Sequence, residues 1–254
     1  MKRLHLLCSI IILFSFLSCQ QVVAQEEPVA QKNNSSYADE SGKRVLFNVC
    51  FGPNISWFYP KTEDYTRSGL TGGMHYGIGI DINLSDQTNY YFTTGVQFEH
   101  VGGQMTFREN LNIIDTIVRT VETERSYNSI YLTIPTAITL KTPSFKNFVI
   151  GGNFGLYHSF LLSSKSSDKF TTATHEVITG KTHNGTVSFF KESAFVGLGV
   201  EYIIKKDFRA KLYINYVHTL TNYFKGNGKA NNTYSELAQK ATMGNVEFIL
   251  GVCF

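Results

Sequence analysis

From Val45 onward apolar and polar residues alternate with a period of two. Over 129–140, Ile130, Leu132, Ile134, Ile138 and Leu140 share one face, and Ser129, Tyr131, Thr133, Ala137 and Thr139 the other. Over 70–84, Leu70, Met74, Tyr76, Ile78, Ile80, Ile82 and Leu84 oppose Thr71, Gly73, His75, Gly77, Gly79, Asp81 and Asn83. Such alternation marks a strand with two unlike faces. Eight segments carry it, at 45–58, 70–84, 90–106, 127–140, 148–162, 194–204, 208–221 and 243–254. Most exceed the roughly five or six residues of a soluble strand and reach the roughly nine to eleven that cross a bilayer at a tilt.

The connections alternate as well. Ser85–Asn89, a turn around Pro143, and Lys205-Lys206-Asp207 are short, whereas 163–193 and 222–242 are long. Short turns at one end and long loops at the other predict an all-β, eight-stranded antiparallel transmembrane barrel with periplasmic turns and extracellular loops. A soluble barrel of calycin type is the alternative, and would carry the opposite polarity, apolar inside and polar outside.

Charge assigns the faces. Glu201, Arg209, Lys211 and Glu247 share the face that carries Gly197, Gly199 and Gly251, while Val196, Leu198, Val200, Tyr202, Leu212, Ile214, Phe248 and Leu250 lie opposite. A lipid-facing Lys or Arg at mid-membrane costs about 2–4 kcal/mol, so the charged face is the lumen. Asp81, Glu99 and His75 join it by parity. Antiparallel pairing across the 205–207 turn puts Glu201 opposite Lys211, with Arg209 and Glu247 near enough to complete a charge network. Trp57, Tyr59, Tyr90, Phe92, Tyr202 and Phe208 sit near segment ends, as an interfacial girdle requires.

Composition fits this reading. The chain has 14 Tyr, 20 Phe and 21 Gly against 5 Pro, which favours strands over helices. A mean hydropathy of −0.10 rules out a polytopic helical membrane protein but not a barrel, whose lumen offsets its apolar wall. The net charge is +3, and Lys2 and Arg3 supply two of those charges. No basic concentration points to nucleic acid.

Lys2, Arg3, the apolar run from Leu6 to Leu17 and Val22-Val23-Ala24 predict a signal peptide over 1–24. Lipidation at Cys19 is the competing processing route. Residues 25–43 are polar and aperiodic, which predicts a disordered mature N-terminus before a barrel over 44–254. Residues 234–240 have the pattern of a short loop helix. Beyond the leader only Cys50 and Cys253 remain, neither at metal-ligand spacing, so no zinc site is expected. Both have lumen parity on the first and last strands, which leaves a disulfide open.

Four stretches carry a family resemblance: Tyr131-Leu132-Thr133-Ile134-Pro135, Asn153-Phe154-Gly155-Leu156-Tyr157, Gly197-Leu198-Gly199-Val200-Glu201-Tyr202 and the closing Gly251-Val252-Cys253-Phe254. Through them the chain resembles the PorT-like outer-membrane β-barrel family of Bacteroidetes-type bacteria, over roughly 45–254. The resemblance implies fold and compartment, and a link to protein secretion through the member that names the family. The final alternating strand ending on Phe254 resembles the signal read by the barrel assembly machinery. Pro135 removes a ladder donor and predicts a bulge.

Catalytic readings fare poorly. His100, His158 and His218 have lipid-facing parity, and Ser159, next to His158, points the other way, so the two cannot act as base and nucleophile. A carboxylate–histidine pair drawn from His75, Asp81, Gln97 and Glu99 competes with a plug of paired charges, since eight strands leave room only for side chains. Gly77-Ile78-Gly79 and Gly197-Leu198-Gly199 lack the third glycine and the helix of a phosphate loop. Asp115-Thr116-Ile117 resembles a protein O-glycosylation acceptor.

The expectation is a non-enzymatic structural or interaction protein of the bacterial outer membrane, without cofactor. Its partners would be outer-membrane lipid, the barrel assembly machinery and secretion or cell-surface proteins, with no nucleic acid. The alternatives are a lipid-modifying hydrolase and a small-solute channel.

Overall fold

A computed structural model describes residues 45–62, 65–84, 89–114, 117–171, 186–205, 208–225 and 240–254. The expectations for the leader, Cys19, residues 25–43, Asp115-Thr116 and, but for its last residue, the helix at 234–240 lie outside these residues. The strands are β1 (Val45–Pro60), β2 (Thr66–Gly69), β3 (Thr71–Asn83), β4 (Tyr90–Ile114), β5 (Ile117–Lys141), β6 (Phe148–Thr171), β7 (Phe190–Lys205), β8 (Phe208–Thr219) and β9 (Ala241–Cys253). β2 is a short piece that pairs with β4 just beyond the start of β3. The other eight close into an antiparallel barrel in the order β1-β3-β4-β5-β6-β7-β8-β9, with β9 returning to β1.

Closure needs a stagger, because tilted strands cannot meet at equal heights. From Val149 on β6 the pairing leads through Glu201, Lys211, Gly251, Cys50, Gly77, Gln97 and Thr133 and returns to β6 at Ser159. One circuit thus moves from position 149 to position 159, a stagger of ten residues. Phe47 and Phe254 exchange both backbone hydrogen bonds at the seam, at 2.9 and 2.8 Å.

The two faces are those the alternation predicts. Leu198, Ile78, Val196 and Ile150 are exposed on the outer wall, while Asn48, Asp81, Glu99, Glu201 and Glu247 are buried inside. Tyr59, Tyr90, Tyr202 and Phe208 are exposed on the outer wall, with Trp57 and Phe92 half-buried beside them. Glycine makes space for the crowded interior. The Tyr213 ring lies across two neighbouring strands, where a methyl group at Gly199 or Gly151 would collide with it.

Three expectations change. Pro135 makes no bulge. Thr94–Thr136 and Gln97–Thr133 hold one register, and the rungs between them are missing because proline has no N–H to give β4. Pro53 does the same at the seam, between Phe51–Leu250 and Asn54–Glu247. Second, residues 107–126 are no open loop: β4 and β5 continue as a paired ribbon to Ile114–Ile117. β6 likewise runs on to Thr171. Third, the segments read as 127–140 and 194–204 stop short, since β5 reaches Lys141 and β7 begins at Phe190.

Candidate functional site

The lumen holds the chemistry, in three stacked layers. The lowest, near the short turns, is charged. Lys141 Nζ stands 2.8 Å from Glu201 Oε1 and 3.6 Å from Asp81 Oδ2, and lies 4.4 Å over the Tyr91 ring. Arg209 reaches the other Glu201 oxygen at 3.6 Å, and Tyr213 donates its hydroxyl to Glu201 at 3.3 Å. Thr93 donates to Asp81 at 2.8 Å. Strand parity aims all these groups inward, where the apolar wall leaves them only one another.

The middle layer is built on Glu99. Lys191 donates to it at 2.8 Å, Asn245 at 3.2 Å and Thr133 at 3.3 Å, with Lys191 4.5 Å over the Tyr131 ring. Glu247 accepts from Tyr157 at 3.1 Å and from Asn245 at 3.0 Å, and Asn215 donates to the Tyr157 hydroxyl at 3.2 Å.

The upper layer is aromatic. Phe58, Tyr127, Tyr131, Tyr223 and Phe224 form a buried cluster with Met105, Met243 and Val187. The Phe58 ring lies 4.9 Å from Tyr223 and 5.6 Å from Phe224, centroid to centroid. Tyr223 and Phe224 come from the chain after β8, folded back over the mouth. Tyr223 N–H donates to the Ala241 carbonyl at 2.9 Å, and its carbonyl accepts from Ser188 at 2.8 Å. The Tyr223 hydroxyl meets Ser129 at 2.6 Å, and burial pushes it above the usual phenol range. Beyond the mouth Arg125 grips Asp168 with two bonds of 2.5 and 2.7 Å and stacks on Phe107 at 5.2 Å.

Each residue singled out in the sequence has a place here. Glu201 pairs in register with Lys211, reached through an irregularity between Ile203 and Lys205, yet its ion pairs go to Lys141 and Arg209. Lys211 has no ion-pair partner among the described residues. Glu247 sits opposite Asn215, away from Glu201. His75 is buried opposite Glu99 and neither ring nitrogen has a hydrogen-bond partner, so no carboxylate–histidine pair forms there. Cys50 faces Gly251 and Cys253 faces Asn48, two positions apart, and both thiols are free. Phe254 stacks on Phe47 across the seam, centroids 6.4 Å apart.

Two lumen charges, and the ion pair beyond the mouth, were not foreseen. Lys141 and Lys191 lay just past the segment ends, and Arg125 and Asp168 lay in stretches read as loops. For Lys191 the signal was parity, since it is in phase with Ser193, Phe195, Gly197 and Glu201, whereas Asp168 falls out of phase with Tyr157 and Ser159 through a register shift between Leu161 and Ser163. The acidic pair Asp81 and Glu201 with Cys253 has the donor types of a metal centre, but Lys141 and Arg209 already neutralise its carboxylates. On the outer wall His158 Nδ1 stands 3.8 Å from Glu192 Oε1, and Ser159 faces inward as expected.

A family model described as an outer membrane protein beta-barrel domain matches residues 24–225. No curated protein matches the chain. Among solved structures it is similar to Neisserial surface protein A at 10% identity, covering 82% of this chain and 97% of that one, with a TM-score of 0.39. OprG from Pseudomonas aeruginosa is similar at 10% identity, with 85% and 98% covered and a TM-score of 0.38. The protease OmpT from Escherichia coli gives 10%, 83%, 96% and 0.38. The chain is an outer-membrane protein and belongs to the outer membrane protein beta-barrel domain family.

Proposed function

We propose that this barrel is a non-enzymatic structural or interaction component that works through its extracellular face, and that it serves protein secretion in the manner the PorT-like resemblance implies. The observation supporting this is the filled lumen. Charge pairs occupy its lower half and Tyr223 and Phe224 its outer mouth, the space a solute path would need. Strands β4, β5 and β6, of 25, 25 and 24 residues, are about twice the length a crossing needs and supply an outer platform for protein partners. On this reading residues 1–24 are removed as a leader and 25–43 precede the barrel, which the barrel assembly machinery inserts.

A lipid-modifying hydrolase has one observation in its favour, the His158–Glu192 pair on the outer wall. Among the described residues no hydroxyl is hydrogen-bonded to that imidazole, so the pair lacks a nucleophile.

The experiment is twofold. The purified barrel in planar bilayers should show no sustained open channel, and steady conductance of porin size would overturn the reading. Affinity purification of the intact membrane protein after cross-linking in cells should recover envelope proteins attached through the outer ribbon. Loss of that recovery on trimming the ribbon between Thr106 and Glu124 is the expected result.

A further inference from the structure

Just above the lowest layer the lumen keeps a cavity of about 50 Å³, bordered by Asn48, Asn153, Asn215 and Lys211 and, on its lower side, by the carboxylates of Asp81 and Glu201. It has room for roughly three or four waters, or for one small ion with a water beside it. Its polar lining is only partly satisfied. Asn48 Nδ2 has no hydrogen-bond partner although the residue is 4% exposed, and the carboxamide oxygens of Asn153 and Asn215 have none either. Asn48 Nδ2 lacks an acceptor, which an anion supplies, whereas the two carboxamide oxygens lack donors, which a water beside the ion supplies.

The charges near the cavity do not balance. Asp81 and Glu201 face Lys141, Arg209 and Lys211, which leaves one positive charge over. Both carboxylates are already engaged, Asp81 by Thr93 and Lys141, and Glu201 by Lys141, Arg209 and Tyr213. The surplus is Lys211. Its stem lies against Gly251, where an added methyl would stand 2.8 Å from Lys211 Cε. The counterpart carboxylate in the lumen, Glu247, is held by Tyr157 and Asn245. It stands four positions along β9 from Gly251, the residue opposite Lys211, or about 13 Å away along the strand.

We propose that this cavity is a binding site for a small monovalent inorganic anion of the chloride class, held by the Lys211 ammonium and the Asn48 carboxamide. Lys211 supplies the charge and Asn48 a directed N–H. Neither is used elsewhere among the described residues. Lys211 is half-buried, and among the described residues no carboxylate stands within ion-pair distance of its ammonium, so an anion in the cavity meets a charge not yet neutralised. The inference is independent of what the outer ribbon binds.

Crystals of the intact barrel soaked in sodium bromide test it. The expected result is an anomalous peak inside the barrel in contact with Lys211 Nζ, lost in Lys211→Met crystals treated alike. Water alone at that position, or a bromide peak that survives in the variant, overturns the proposal. Should Lys211→Met fail to fold, the wild-type soak and an Asn48→Leu variant still decide. Thermal unfolding in micelles gives a second reading. Replacing gluconate by chloride at equal ionic strength should raise the Tm by roughly 3–6 °C at about ten times the Kd. An equal shift in Lys211→Met counts against the site.

Discussion

Lys191 on β7 and Glu99 on β4 meet at 2.8 Å across the lumen, three strands apart around the barrel. The bond joins opposite walls, so the pair acts as a strut as well as a charge balance. Removing one partner of such a buried pair costs about 3–5 kcal/mol, because the other charge is left without water or counter-charge. Lys191→Met and Glu99→Leu should each lower the unfolding free energy by about that amount. The double variant should be more stable than either single one, by at least about 1 kcal/mol. Denaturant melts of the four proteins in micelles check this; strict additivity would show that the two side chains do not depend on each other.

Topology is tested with single cysteines at exposed sites. Lys225 follows the outer plug and Lys146 lies in the turn before β6. Lys225→Cys should react with a membrane-impermeant maleimide on whole cells, and Lys146→Cys only after the outer membrane is opened. The reverse pattern would invert the barrel.

The contact of Tyr213 with Gly199 and Gly151 makes a steric prediction. Gly199→Val drives a branched side chain into the Tyr213 ring and displaces the hydroxyl that donates to Glu201. A loss of roughly 2–3 kcal/mol is expected from overpacking together with the broken bond. Pairing the change with Tyr213→Ala should return part of it, as measured in the same melts.

Phe254 closes the seam through two backbone bonds and a stacked ring on Phe47. Deleting it removes both and should cut the fraction of protein that reaches the outer membrane, with the remainder recovered as aggregate. Fractionation with immunoblotting reads this out. Unchanged membrane levels would mean that assembly does not depend on the terminal residue.

Much of the fold could be read from the sequence because a barrel wall repeats every second residue. Glu201, Arg209 and Glu247 were placed in the lumen by parity alone, and Glu201 opposite Lys211 by the length of one turn. What parity cannot give is the height of each residue around the circuit. Arg209 shares the Glu201 carboxylate as parity suggests, but its nearer partner is Lys141, 60 positions earlier in the chain, and only the stagger brings the two level. The paired ribbons of β4, β5 and β6 were not legible either, since their buried face carries Thr123, Arg125, Ser164, Ser166 and Asp168, and polar residues on both faces erase the alternation. Tyr223 and Phe224 gave no sign of being a plug, because a pair of aromatics in a loop has no periodicity to betray it.

The stagger has a consequence for how the molecule is made. Bonds that hold the lumen link distant parts of the chain: Glu99 to Asn245 spans 146 positions and Tyr157 to Glu247 spans 90. Such high contact order makes folding slow, and the early strands cannot satisfy their charges locally. A half-built cylinder in lipid would show Asp81 and Glu99 to hydrocarbon with no cation beside them, since Lys141 and Lys191 arrive later on the chain. Insertion strand by strand is therefore disfavoured. The polypeptide has to stay hydrated until its last strand is in hand, and then curl shut and enter the membrane in one concerted motion.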